Sequence, residues 1–234
     1  YLAPESRHKK GQDRDSIQKP NRRLVVLAQN LEGYRSLCRL STIGYQEGFY
    51  YKPRVDIEAL REFNKDIIAL SGGLYGEIPW TFLNEGPEVA LTKVRELQSV
   101  FPERFYLQLC RPKLPQWNQI NQFLLEAHKI TGVPIVAAND VHFIEPDQQT
   151  AQEVLICIGS NRTLQDESRF RLGSDQFYLK SSQEMRTLFA DVPQACDASL
   201  EIAERCNLQF KLKDGQGKMI YYLPSFPTTE GRSL

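Results

Sequence analysis

Val133-Pro134-Ile135-Val136-Ala137-Ala138-Asn139-Asp140-Val141-His142 decides how the rest of this chain is read. An apolar run over 133–138 that breaks abruptly into polar residues is the pattern of a strand buried on both faces. Just before it, Trp117, Ile120, Phe123, Leu124, Ala127 and Ile130 recur at helical spacing. Further back the alternation repeats: a strand over 104–110, a helix over 89–100, and a strand over 66–70 that ends at Ser71-Gly72-Gly73. Leu24-Val25-Val26-Leu27-Ala28 is the first such apolar run. Asn30 stands where it can cap a helix carrying Leu31, Tyr34, Leu37, Cys38 and Ser41 on one face. Phe49-Tyr50-Tyr51 reads as a short strand ended by Pro53, after which Asp56 can cap a helix to about residue 63. Strands alternating with helices predict an α/β fold built on a parallel sheet or barrel. In such folds the chemistry sits at the carboxyl ends of the strands. That rule selects Asn30, Gly72-Gly73, Cys110-Arg111 and, above all, Asn139-Asp140-Val141-His142.

The last third departs from the alternation. Ser181 and Glu184 spell a capping box ahead of Met185, Leu188 and Phe189. Pro193 suits the first turn of another helix, predicted to run to about residue 206. Gly215, Gly217, Pro224 and Pro227 mark a linker. The expected division is a basic loop over 1–23, an α/β portion over 24–175, a helical extension over 176–212 and a linker over 213–234.

The 234 residues carry 29 basic and 29 acidic side chains, a net charge of zero, so the chain as a whole is not a basic footprint for nucleic acid. Hydrophobic residues at 41% and charged ones at 25% exclude an intrinsically disordered chain. No apolar run approaches the ~18 residues of a membrane span. The five cysteines, Cys38, Cys110, Cys157, Cys196 and Cys206, are odd in number and form no C-x-x-C pair, so they read as reduced thiols of a cytoplasmic protein. Residues 1–23 hold Arg7, Lys9, Lys10, Arg14, Lys19, Arg22 and Arg23 against Glu5, Asp13 and Asp15. With no aromatics interleaved, that block reads as a solvated loop, the alternative being an arm that contacts phosphates.

Asp140 and His142 are the sharpest chemical signal. On an extended segment, residues i and i+2 point to the same side, so this carboxylate and imidazole could share one divalent metal, or the carboxylate could orient the imidazole. Two donors are half a site, because a catalytic zinc usually takes three protein ligands. A hydrogen-bonded turn after the strand is the other reading. His8 lies in the basic block, and His128 lies on a helical stretch where packing is the expectation. Ser71-Gly72-Gly73-Leu74-Tyr75-Gly76-Glu77 lacks the ending of a phosphate-binding P-loop and is not a G-x-S-x-G nucleophile elbow, so its glycines read as a turn before a helix.

Several segments in colinear order carry a family resemblance. They are Tyr1-Leu-Ala-Pro-Glu-Ser-Arg7, Leu24-Val-Val-Leu-Ala-Gln-Asn-Leu-Glu-Gly-Tyr34, Gly48-Phe-Tyr-Tyr-Lys-Pro-Arg-Val-Asp56, Ala69-Leu-Ser-Gly-Gly73, Phe105-Tyr-Leu107 and Val136-Ala-Ala-Asn-Asp-Val-His142. Phe177-Tyr-Leu-Lys-Ser-Ser-Gln-Glu-Met185, Leu188-Phe-Ala-Asp-Val-Pro193 and Ile202-Ala-Glu-Arg-Cys-Asn207 continue the series to Leu223-Pro224. The set resembles the PHP (polymerase and histidinol phosphatase) domain of the bacterial DNA polymerase III alpha subunit. The resemblance implies a distorted (βα)7 barrel, here partial and lacking its first strands, with a helical C-terminal extension and a linker toward a polymerase core. It implies that family metal ligands are absent at Arg23, where the family has His, and at Gly73, where it has Cys. Only Asp140 and His142 match, so a divalent metal (zinc, manganese or magnesium) would meet a partial site.

The function so implied is the PHP portion of a DNA-directed DNA polymerase, a nucleotidyltransferase of DNA replication whose polymerase carboxylates lie outside these residues. This portion would act as a structural and docking module with a degenerate metal site. The implied partners are the remaining polymerase domains, a proofreading exonuclease, and DNA through the parent protein, with no membrane and a cytoplasmic location. Two alternatives stay open. One is a metal-dependent phosphoesterase or 3′–5′ exonuclease with Asp140 and His142 as ligands. The other is a nucleic-acid contact through Lys9, Lys10, Arg22 and Arg23.

Overall fold

The computed structural model describes residues 1–10 and 21–223. Four strands, β1 (Val25–Ala28), β2 (Ile67–Leu70), β3 (Phe105–Leu109) and β4 (Ile135–Ala137), form one sheet in sequence order. The helices are α1 (Leu31–Gln46), α2 (Ile57–Glu62), α3 (Glu77–Glu85), α4 (Pro87–Val100), α5 (Pro115–Thr131), α6 (Gln149–Ser160), α7 (Ser182–Leu188) and α8 (Pro193–Arg205). A short 3-10 turn at Pro146–Gln148 leads into α6. The expected α/β alternation is present. Among the described residues the strands form a four-stranded sheet in which no pairing returns β4 to β1.

Local chemistry accounts for the element ends. The Asn30 side chain accepts from the Glu32 and Gly33 amides at 2.9 and 3.1 Å and starts α1. Along α5, Trp117, Ile120, Asn121, Leu124 and Ala127 make the buried stripe. Gly132, in the left-handed region at φ 73°, closes the helix by donating to the His128 carbonyl at 2.9 Å. His128 Nδ1 lies 2.8 Å from the Val133 carbonyl, which makes it a packing residue, as expected. All five residues of β3 are buried, as suits the second of three parallel strands covered on both faces. One face packs Leu107 and Leu109 against Val94, Leu97, Trp117, Ile120 and Leu124. On the other, Ile68, Tyr106 and Val136 meet Ala198 and Ile202 of α8, so the helical extension lies across the sheet.

Three expectations need correction. β1 runs antiparallel to β2, with Val25 opposite Leu70 and Ala28 opposite Ile67; only β2, β3 and β4 are mutually parallel. Two helices with an extended return between them join β1 to β2, and a single crossover helix is what enforces parallel pairing. Secondly, Phe49-Tyr50-Tyr51 is not a strand. Tyr50 donates to Lys52 O at 3.1 Å across a tight turn that forces Tyr51 to φ 58°. The aromatic content suits a strand, but no neighbouring strand is there to pair with it.

Thirdly, two arginines of the first 23 residues are not solvated. Leu2 exchanges amide hydrogen bonds with Arg22 at 2.8 and 3.0 Å, and Ala3 donates to Val55 O at 2.7 Å, so the first residues are stitched to the fold. Arg22 is 2% exposed, its guanidinium 3.4 Å from the centre of the Trp80 ring. Arg7 is held by Asp56 and Glu47. Arg14, Lys19, Asp13 and Asp15 of the same block, and Pro224 and Pro227 of the linker, lie outside the described residues.

Candidate functional site

The parallel strands β2, β3 and β4 end at one rim, and the antiparallel β1 begins there. Beyond β2 the chain turns sharply through Ser71 and Gly72. Gly72 sits at φ 77°, and a Cβ on it would stand 2.7 Å from the Arg23 carbonyl, so glycine is required twice over. The Arg23 amide donates to Tyr75 O at 2.8 Å, and its guanidinium lies 5.0 Å from the centre of the Tyr75 ring. The reversal of β1 therefore brings Arg23 to the rim and carries Asn30 to the opposite end, where its helix starts beside Asp66. Gly73 is under no such constraint: a Cβ there would make only ordinary contact with Trp117, at 3.5 Å.

Beyond β3 stands Cys110, 1% exposed. Burial pushes its thiol up to about 12, and the nearby charge of Asp140 adds to the effect, so the sulfur stays protonated and is a poor nucleophile and ligand. Arg111, the next residue, turns away from the rim. Its guanidinium makes a two-pronged pair with Asp191 at 2.6 and 2.8 Å, donates to Leu188 O at 2.7 Å, and covers the Phe189 ring. It ties α7 to α8.

Beyond β4, the Asn139 side chain donates to Tyr178 O at 2.5 Å and the His142 amide donates to Phe177 O at 2.8 Å. These bonds fix the extended segment that carries Asp140 and His142. The two side chains meet as their spacing predicts: His142 Nε2 lies 3.5 Å from Asp140 Oδ2, with the imidazole edge-on to Phe177. The carboxylate is 46% exposed and the imidazole 33%, so the pair is open to solvent. It offers one oxygen ligand and one nitrogen ligand. Among the described residues, no group of three or more His, Cys, Asp or Glu side chains is assembled to hold a metal. As they stand, the donors at this rim do not make the three-ligand set of a catalytic zinc site.

Residues 4–112 match the model of the PHP domain. The chain carries a PHP domain. Over its whole length it is 38% identical to the DNA polymerase III subunit alpha of Thermus aquaticus, and it spans 19% of that protein. It is 36% identical over 91% of its length to the corresponding subunit of Borreliella burgdorferi, and 39% identical over 92% to that of Pseudomonas aeruginosa. The chain spans about a fifth of the length of these curated relatives. The PHP match begins at residue 4, ahead of β1, and ends at residue 112, just past β3.

Two features of this PHP-bearing chain were not visible in the sequence pattern. One is the reversal of β1 that brings Arg23 to the rim, since strand direction leaves no mark on an apolar run and only the family resemblance singles Arg23 out. The other is α6, which was not predicted: Val154, Leu155 and Ile158 are apolar yet 37%, 61% and 71% exposed, and Cys157 is the helix's one buried residue. Among the described residues no helix is long and apolar enough to cross a membrane.

Proposed function

We propose that this chain is the PHP portion of a replicative DNA polymerase alpha subunit, working in the cytoplasm as a structural and docking module whose metal site is degenerate. The observation that carries the reading is the composition of the strand-end rim. It offers Asp140 and His142 as donors, while Arg23 brings a cation to the same rim and Gly73 brings no side chain although space exists for one. A guanidinium repels a divalent cation, and two exposed donors leave the metal-bound hydroxide of a hydrolase without a fixed geometry. The outward apolar row of α6, with Ile144 beside it in sequence, suits a surface covered by other polymerase domains or a proofreading exonuclease.

A second reading is a metal-dependent phosphoesterase or 3′–5′ exonuclease, favoured by the direct approach of His142 to Asp140. Elemental analysis of the purified chain, with the Asp140→Ala/His142→Ala variant beside it, separates the two. The docking reading expects well under one equivalent of zinc or manganese, an unchanged melting temperature in the variant, and no effect of EDTA on either. One equivalent of metal that disappears in the variant, with manganese-dependent release of 3′ nucleotides from an oligonucleotide, would overturn it in favour of the hydrolase.

A further inference from the structure

A cluster of exposed aromatic rings lies around the turn between α1 and α2. Five aromatic rings from two separate segments gather there: Tyr1, Tyr45, Phe49, Tyr50 and Tyr51. Tyr45 is 62% exposed and Tyr51 81%. The Tyr45 and Phe49 rings lie nearly parallel, 20° apart with centroids at 6.1 Å, and Tyr50 and Tyr51 meet edge-on at 4.7 Å. Tyr51 holds a left-handed backbone, at φ 58°, and its ring meets that of Tyr50. Strained backbone that projects a large ring into water is a feature to explain by function rather than stability.

Cations are set among these rings. Residues 1–10 and 45–58 hold Arg7, Lys9, Lys10, Lys52 and Arg54 against Glu5, Glu47, Asp56 and Glu58. Arg7 answers Glu47, Asp56 and Glu58, and Lys9 answers Glu5, which leaves Lys10 and Lys52 as the cations offered beside the rings. Lys52 reaches across the Tyr1 ring at 5.2 Å, so cation and aromatic are interleaved. Arg54 is buried beneath, donating to Gly48 O at 2.9 Å and to the Arg7 and Lys9 carbonyls at 3.1 and 3.2 Å, which locks the two segments together.

We propose that this aromatic and basic surface binds single-stranded nucleic acid, with bases stacking on Tyr45, Phe49 and Tyr51 while Lys10 and Lys52 meet the phosphates. Exposed rings set among cations are the recurring design of sequence-tolerant single-strand binding, because every base has a face to stack. In the linear sequence the basic residues 7–10 carry no aromatics between them; the fold supplies the rings from residues 45–51. The surface is remote from the Asp140–His142 rim in the chain, and the inference does not depend on the docking reading.

The test is fluorescence anisotropy of the full chain with a labelled dT20, beside a U20 and a 20-base-pair duplex. Tyr51→Ala and Tyr45→Ala change exposed rings, and their melting temperatures report whether the fold is kept. Each is expected to weaken dT20 binding about five- to tenfold, the lower end for a lost stacking ring. For about two phosphates neutralised, log affinity against log salt should have a slope of about −1.4. Lys10→Ala/Lys52→Ala should flatten that slope. Parallel losses on U20 mark a single-strand surface that ignores the sugar, and a loss confined to dT20 marks one that reads DNA. No binding, binding unchanged in folded Tyr variants, or a preference for duplex would each overturn the proposal and leave the rings to a protein partner.

Discussion

Asp56 does three jobs with one carboxylate. It caps α2 by accepting the Ala59 amide at 3.0 Å, accepts the Arg7 amide at 2.9 Å, and pairs with the Arg7 guanidinium at 2.9 Å. Burial raises its proton affinity, but those bonds outweigh burial and hold the carboxyl below its ordinary range. Because its side chain is only 5% exposed, removal strips the Arg7 and Ala59 amides of their acceptor and leaves the Arg7 guanidinium to Glu47 and Glu58. Asp56→Ala is expected to destabilise the chain by about 2–4 kcal/mol, and Asp56→Asn, which keeps a capping oxygen, by less. Urea denaturation of the two variants checks this, and equal losses would show that the cap contributes nothing. The same scale shows what a sequence reveals of a site. Asp140 and His142 were legible together because their relation depends only on local extension. Arg23 was legible only through the family resemblance, because its place at the rim depends on the direction of β1.

At the scale of the element, the Ser181–Glu184 capping box is formed as spelled. The Ser181 hydroxyl accepts the Glu184 amide, and the Glu184 carboxylate accepts the Ser181 amide at 2.8 Å and hydroxyl at 2.7 Å, and the Tyr178 hydroxyl at 2.7 Å. The bonds from Ser181 and then Tyr178 draw the carboxyl down to about 2. A carboxyl depressed in the folded state adds stability above its unfolded value of about 4.3 and loses it as pH falls toward the folded value. Glu184→Gln should therefore be less stable than the parent at pH 6 and indistinguishable from it near pH 2, in thermal melts across that range. Capping spellings, the Pro193 start of α8 and the stripe of α5 were all readable because each is encoded within a turn or two of chain. The helix α6 was not readable, because its apolar side faces out, and a pattern that assumes inward burial misplaces it. The approach of α1 to β2 was equally hidden: a Cβ on Gly33 would stand 2.1 Å from the Asp66 carbonyl, a contact made by residues far apart in sequence.

For the molecule as a whole, nothing in the apolar runs marks the sheet as mixed, and that one reversal rearranges both ends of it. The cysteines sample this architecture at different depths. Cys38 is exposed on α1, Cys206 is partly covered, and Cys110, Cys157 and Cys196 are buried. All five are free thiols, so each answers a small aromatic disulfide reagent only when the reagent can reach it. Cys38 should react at once. Cys110, shielded and held protonated beneath the rim, should react only when β3 and α5 part, and its rate should then be independent of reagent at high concentration. Mass spectrometry of the labelled chain over time would assign each event. Rapid reaction of Cys110 in the intact chain would contradict its burial. The molecule thus carries its own stopwatch: one sulfur starts the count at mixing, and another, beneath the rim, stops it at each opening of the core.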